Sequence, residues 1–253
     1  MGGYPVCGPY AFKTVDFGKT WKATALAPCT TTADYMRVTA DPTVPGRVLA
    51  SSDACGLSWS EDGGANWTAA VGPFGKLPVR VTFDADTPDR VLTASYGLYE
   101  SKDGGKNWLQ AGNGPGLQGA QLAVTPGKPL VLLATGYTLD GVNQPVGRVS
   151  RSVDGGKTWQ QTSADFDRGQ PAGIAFDPTR PGYVYVGTAN TNGGKYWDGG
   201  VFVSGDGGLT WTFGVSGKVT NLALLGGTVL GVGGNYGSNA SFTGVGQTEL
   251  VCQ

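Results

Sequence analysis

The chain has 253 residues, with 44 glycines, 7 tryptophans, 10 tyrosines and 4 cysteines, no histidine, 15 % charged residues and a net charge of −1. A single closed domain of this length can bury a sizeable core, while the absence of imidazole removes a His-dependent triad and a His-built zinc site, so neither a cofactor nor a metal is expected. No basic stripe points to nucleic acid, and no stretch approaches the ~18 consecutive apolar residues of a membrane span, which makes both poor partners.

The N-terminal segment MGGYPVCGPY lacks the charged start and apolar run of a secretory leader, so it reads as the start of a mature domain or of one whose leader was removed. The run YAFKTVD follows, then a turn and TWKATAL, together the second half of a repeating unit. The first complete unit is MRVTADP (36–42), RVLASS (47–52), GLSWSEDGG (56–64) and NWTAA (66–70). The next is VRVTFDAD (79–86), RVLTAS (90–95), GLYESKDGG (97–105) and NWLQA (107–111). Alternation of apolar and polar residues in these runs predicts half-buried strands. Two further units keep the order but carry long insertions, GYTLDGVNQPV (136–146) and ANTNGGKYWD (189–198), between second and third strands. VTNLALL (219–225) and TVLGVGG (228–234) then read as a first and second strand that lack a third and fourth.

One pattern organises all of this. SEDGGANW, SKDGGKNW, SVDGGKTW and SGDGGLTW join third to fourth strands around Asp62, Asp103, Asp154 and Asp206, and TVDFGKTW around Asp16 is a weaker first copy. The Asp carboxylate can accept backbone N–H bonds, Gly supplies a positive φ, and the Trp five residues after the Asp gains by burial against a neighbouring unit. Successive aspartates stand 46, 41, 51 and 52 residues apart, close to the roughly 40 to 50 residues of a propeller blade. The expected fold is therefore an all-β single propeller over 1–253. It has five four-stranded blades, with 1–26 and 219–253 forming the closing blade. The tail GVGQTELVCQ resembles a third strand and competes for that place, either alongside the closing blade or in a neighbouring molecule by strand exchange.

The repeated turn resembles the Asp-box, or BNR, repeat of sialidases, sortilin-type receptors and xyloglucanase-like glycoside hydrolases. The resemblance implies that the turn aspartates are structural and lie away from the active face. It does not carry a catalytic set across. The FRIP-type arginine motif of sialidases has only YMRVT around Arg37 to match it, and Glu61, Glu100 and Glu249 are the only glutamates. ASSDACGLSWS around Asp53 is similar to an RTDxGG-like xyloglucanase context, with Cys55 in place of a Gly.

Function is expected on the face that carries the variable second-to-third connections. Tyr137, Asn143, Asn192, Tyr196, Trp197, Tyr236 and Phe242 lie in three of them, and aromatics beside amides suit a sugar ring or a protein surface. The favoured role is a secreted non-catalytic module that binds a glycan or protein, or that self-associates through its terminal strands. The alternative is a glycosidase that pairs Asp53 with Asp140 or Asp198. An even cysteine count without CxxC spacing favours disulfides and an oxidising compartment. Three pairings are open, and a locked closing blade selects Cys7 with Cys252, leaving Cys29 with Cys55. Asp84, Asp86 and Asp89 in the first-to-second connection could be read as calcium ligands, but the same turn recurs without the extra acids, which makes it structural. Sequons stand at Asn66, inside a turn copy, and at Asn239.

Overall fold

The computed structural model describes residues 10–25, 36–52, 55–73, 80–94, 97–127, 130–143, 145–162, 170–189, 199–217, 219, 221–225, 228–232 and 246–248. Every regular element among them is a β-strand, and no helix is long and apolar enough to cross a membrane. In chain order, β1 (Tyr10–Lys13) and β2 (Lys22–Ala25) form a two-stranded antiparallel sheet. Then β3 (Met36–Ala40), β4 (Val48–Ser52), β5 (Gly56–Ser60) and β6 (Thr68–Ala69) form a four-stranded meander. The pattern repeats in β7 (Val81–Phe83), β8 (Val91–Ala94), β9 (Gly97–Ser101) and β10 (Leu109–Asn113). It repeats again in β11 (Gln118–Val124), β12 (Leu132–Leu139), β13 (Pro145–Ser152) and β14 (Gln160–Gln161). The last four-stranded sheet comprises β15 (Gln170–Phe176), β16 (Val184–Ala189), β17 (Gly200–Ser204) and β18 (Thr212–Ser216).

The burial of these sheets follows their strand order. Second strands read as near-continuous apolar runs, VLTA in β8 and VYVGTA in β16, and both are buried along their whole length. Fourth strands such as β6 and β14 are exposed. A strand packed on both faces needs apolar residues at consecutive positions, whereas an outer edge strand does not. Four-stranded meanders graded in this way are β-propeller blades, so the all-β propeller expected from the repeats is the fold, with four complete blades among the described residues.

The described terminal strands form two smaller sheets. β19 (Asn221–Leu225), β20 (Thr228–Val232) and β21 (Gly246–Thr248) form a three-stranded sheet. Val229 lies opposite Thr248 and Gly231 opposite Gly246. Among the described residues the tail thus lies in the third place beside β20, and β1 and β2 pair with each other. Loop closure gives a reason. β21 reaches β20 across residues 233–245, whereas β1 is more than 200 residues away, about four doublings of loop length and about 2.4 kcal/mol of closure entropy.

Contacts divide the chain into two units, residues 1–93 with 99–111 and residues 94–98 with 112–253. In the first, Leu49 and Leu57 of one blade pack with Val81, Val91 and Trp108 of the next, flanked by Trp59, Phe83 and Tyr99. Each such aliphatic side chain contributes about 1.5–3 kcal/mol by leaving water. In the second unit, Leu133 and Val149 pack with Ile174, Val184, Val186 and Phe202, and Tyr185 and Val201 with Val219, Leu222 and Val229.

The Asp-Pro connections between first and second strands are ion-paired. Asp41 accepts from the Thr43 and Val44 amides at 2.7 and 3.1 Å and pairs with Arg47 at 3.0 Å. Asp84 pairs with Arg90 at 3.0 Å, and Asp177 with Arg180 at 2.8 Å. Asp89 meets Arg47 at 2.5 Å, so Asp84 and Asp89 both serve guanidinium groups.

Candidate functional site

The repeated turn has one geometry in all five copies. In the second copy, Ser60 Oγ donates to Asp62 Oδ1 at 2.8 Å and accepts the Gly64 amide at 2.9 Å. Asp62 Oδ1 accepts the Ala65 and Asn66 amides, both at 2.9 Å, and Oδ2 accepts Asn66 Nδ2 at 2.7 Å. Asp103, Asp154 and Asp206 repeat the ring with Ser101, Ser152 and Ser204. Asp16 repeats it with Thr14 at 2.8 Å and with the Thr20 amide at 2.9 Å. Every bond spans four residues or fewer, so the motif closes without help from elsewhere.

The two glycines of the turn have separate reasons. Both adopt positive φ, 76° and 97° at Gly104 and Gly105, which a side chain disfavours. The second also lies under a neighbouring blade: a Cβ on Gly105 would stand 2.6 Å from Leu49 Cδ2, and one on Gly208 would stand 2.7 Å from Leu133 Cδ1. In the first copy Phe17 takes the place of the first Gly at φ 57°.

These bonds hold the carboxylates ionised. The Thr20 hydroxyl, its amide and Thr14 lower Asp16 to about 2. For Asp103 and Asp206 burial pushes upward, but hydrogen bonds from Asn107 and Thr210 outweigh it and leave both at about 2. Asp62 and Asp154 are held below the usual carboxylate range by Asn66 and by Thr158. Carboxylates so committed are poor proton donors at ordinary pH.

Of the residues expected to form a binding face, Tyr137, Asn143 and Asp140 fall within the described structure. Asp53, Asn192, Tyr196, Trp197, Asp198, Tyr236 and Phe242 lie outside it, as do Cys7, Cys29 and Cys252. The 136–146 insertion is largely not a loop: Gly136, Tyr137, Thr138 and Leu139 pair with Arg148, Gly147, Val146 and Pro145. Tyr137 is therefore half-buried in β12, opposite Gln118 of β11. Asp140 ends that hairpin, its Oδ1 accepting the Val142 amide at 2.9 Å. Asn143 stands exposed in the tip at φ 60°. Cys55 is disulfide-bonded, and its amide donates to Ser52 Oγ at 2.9 Å.

A concave feature lies where none was expected. Lys13, Val15, Thr20, Trp21, Lys22, Thr24 and Ala65 line a cavity of about 310 Å³ between the first two turns. The signal of it in the sequence is the divergence of this first copy, TVDFGKTW, from the other four.

The propeller fold has solved counterparts. A Niastella koreensis GH74 enzyme matches with a TM-score of 0.63 and 21 % identity over 83 % of this chain and 34 % of its own. An ancestral GH74 enzyme matches with a TM-score of 0.59 and 22 % identity over 84 % of this chain and 30 % of its own. This chain thus spans about a third of the length of these enzymes. At such identity the likeness concerns the fold alone. No protein-family model matches the chain, and no curated protein matches it.

Proposed function

We propose that the chain is a secreted, non-catalytic β-propeller module that binds a glycan or protein on the face of its second-to-third connections, or that self-associates through its terminal strands. The observation that carries this reading is the commitment of the acids among the described residues. The five turn aspartates are closed into their own turns, Asp41, Asp84 and Asp177 serve arginines, and Asp140 accepts the amide of its own hairpin tip. We read the turn as an Asp-box, a structural device that leaves the opposite face to specialise. The ligand set assigned to that face is Tyr137, Asn143, Asn192, Tyr196, Trp197, Tyr236 and Phe242. The half-burial of Tyr137 makes it the rigid floor of such a surface. The disulfide at Cys55 supports an oxidising compartment, with Cys29 to Cys55 and Cys7 to Cys252 as the assigned pairs.

Fold likeness to GH74 enzymes favours a second reading, a glycoside hydrolase that uses Asp53 with Asp140 or Asp198. A glycan array and a panel of chromogenic glycosides, run on the wild type, on Tyr196→Ala with Trp197→Ala, and on Asp53→Ala with Asp198→Ala, separate the two. Binding lost in the aromatic pair at unchanged melting temperature, with no turnover in any protein, is the expected result. Turnover that disappears in the aspartate pair would replace the binding module by the enzyme.

A further inference from the structure

The first turn copy has the most exposed motif tryptophan of the five: Trp67 and Trp108 are buried and Trp159 and Trp211 half-buried. Trp67 is 7 % exposed and packs with Ala11, Val48 and Ala50, and Trp108 is 3 % exposed against Leu49 and Leu57. Trp21, at the same motif position, is 61 % exposed. Its Nε1 still donates to Gly18 O at 3.2 Å, as Trp67 does to Gly64 O at 3.0 Å. The indole is thus held in the motif geometry while its face stays open to solvent. Phe17 adds a second departure. It occupies a left-handed position that the other copies give to Gly, and its ring is wholly exposed. Positive φ costs a bulky residue about 1–2 kcal/mol.

The charge is local as well. Residues 10–25 hold Lys13, Lys19 and Lys22 against Asp16 alone, three positive charges less one negative, or +2, in a chain of net charge −1. Asp16 keeps its negative charge, already counted in that +2, while both its oxygens accept bonds from Thr14 and Thr20. Lys13 Nζ donates to Asp62 O at 3.3 Å, which anchors the amine at the wall and leaves two of its hydrogens. Thr20 donates its hydroxyl to Asp16 at 2.6 Å, and Thr24 donates its own to Ala11 O at 3.3 Å. Both hydroxyls are thereby oriented, and although Thr24 Oγ1 already accepts Trp67 Nε1 at 3.3 Å, each keeps acceptor capacity because a hydroxyl oxygen carries two lone pairs.

We propose that this cavity is a second binding site, for an acidic saccharide of the uronic-acid class. The sugar's C–H face lies on the Trp21 indole, its hydroxyls donate to Thr20 and Thr24, and its carboxylate is held between Lys13 and Lys22. An apolar wall, fixed acceptors and two cations match the three chemical faces of a uronate ring. A cavity of about 310 Å³ falls at the small end of ligand sites. The inference deepens the carbohydrate-binding reading but uses residues distinct from the second-to-third connections.

The test titrates the intact chain with hexameric oligogalacturonate, with a neutral glucan of equal length and with inorganic phosphate, read by calorimetry and tryptophan fluorescence. The wild type is expected to bind only the acidic oligomer, with affinity falling as salt rises to about 0.5 M. Trp21→Ala, and Lys13→Ala with Lys22→Ala, are each expected to weaken it about tenfold. No binding of the acidic oligomer, equal binding of the neutral one, or competition by phosphate at similar concentration overturns the proposal. So does a dimer that Trp21→Ala dissolves, which would make the patch a protein face. Glycan binding lost in Tyr196→Ala with Trp197→Ala but kept in Trp21→Ala overturns this site and leaves the module reading intact.

Discussion

Truncation of Trp108 and Trp21 tests whether the repeated motif does the same work in every copy. Trp108 is 3 % exposed within the Leu49–Val91 cluster, and its Nε1 donates to the Gly105 carbonyl at 2.8 Å. A buried indole removes roughly 150–250 Å² from water, about 4–6 kcal/mol at ~25 cal/mol per Å². That agrees with the about 3–5 kcal/mol typical of Trp→Ala in cores. Loss of the indole hydrogen bond inside the same wedge adds about 1 kcal/mol. Trp21 keeps 61 % of its surface in water. Only about two-fifths of the same area is at stake, an upper bound of about 2 kcal/mol, and its carbonyl partner can return to water. Trp108→Ala is therefore expected to destabilise by at least about 2 kcal/mol more than Trp21→Ala, with Trp108→Phe intermediate. Urea titrations followed by circular dichroism, with thermal melts in parallel, read the difference directly. Equal losses for the two alanine variants would refute the argument that the neighbouring blade, not the turn itself, sets the value of the tryptophan.

Where the second glycine of the turn lies under an aliphatic side chain of a neighbouring blade, it should tolerate alanine less well than Gly207, which has open space around it. Gly105→Ala and Gly208→Ala drive a methyl group into Leu49 and Leu133 and are expected to cost about 1–3 kcal/mol beyond the left-handed strain that they share with Gly207→Ala; equal urea midpoints would contradict this. Asp103 and Asp206 ionise at about 2 when folded, against an ordinary 3.8. The stability they contribute is thus fully present above about 3.8 and lost as pH falls toward about 2. Melts across that window should show an acid limb that Asp103→Asn with Asp206→Asn flattens, and an unchanged limb would remove the turns from acid unfolding. Peptide mapping without reduction is expected to recover Cys55 joined to Cys29, and Cys55 joined to Cys7 or Cys252 would overturn the assigned pairs.

The candidate site divides along a similar line. Turn aspartates were legible as structural because their partners lie within four residues, and the hydrogen bonds of Asp62 and Asp103 are those the motif implied. Tyr137 was not legible as a strand residue. Nothing in GYTLDGVNQPV announces that its two halves pair, and the register that joins Tyr137 to Gly147 depends on β12 and β13 extending together. The cavity beside Trp21 was equally hidden, since Lys13, Trp21 and Ala65 meet only when the first hairpin packs against the next turn.

By itself, the sequence determined what a few neighbouring residues can settle: a Ser-x-Asp-x-Gly turn that satisfies its own backbone, glycines where φ is positive, and apolar runs that become buried second strands. Tertiary structure decided what each identical motif is worth. TVDFGKTW and SKDGGKNW build the same ring of bonds, yet Trp108 is wedged against another blade and Trp21 stands in solvent. The same holds for the tail, whose third-strand pattern was visible but whose place beside β20 follows from chain proximity. Hydrogen bonds within a turn are local and travel with the motif, whereas burial belongs to whatever surface the rest of the chain brings against it.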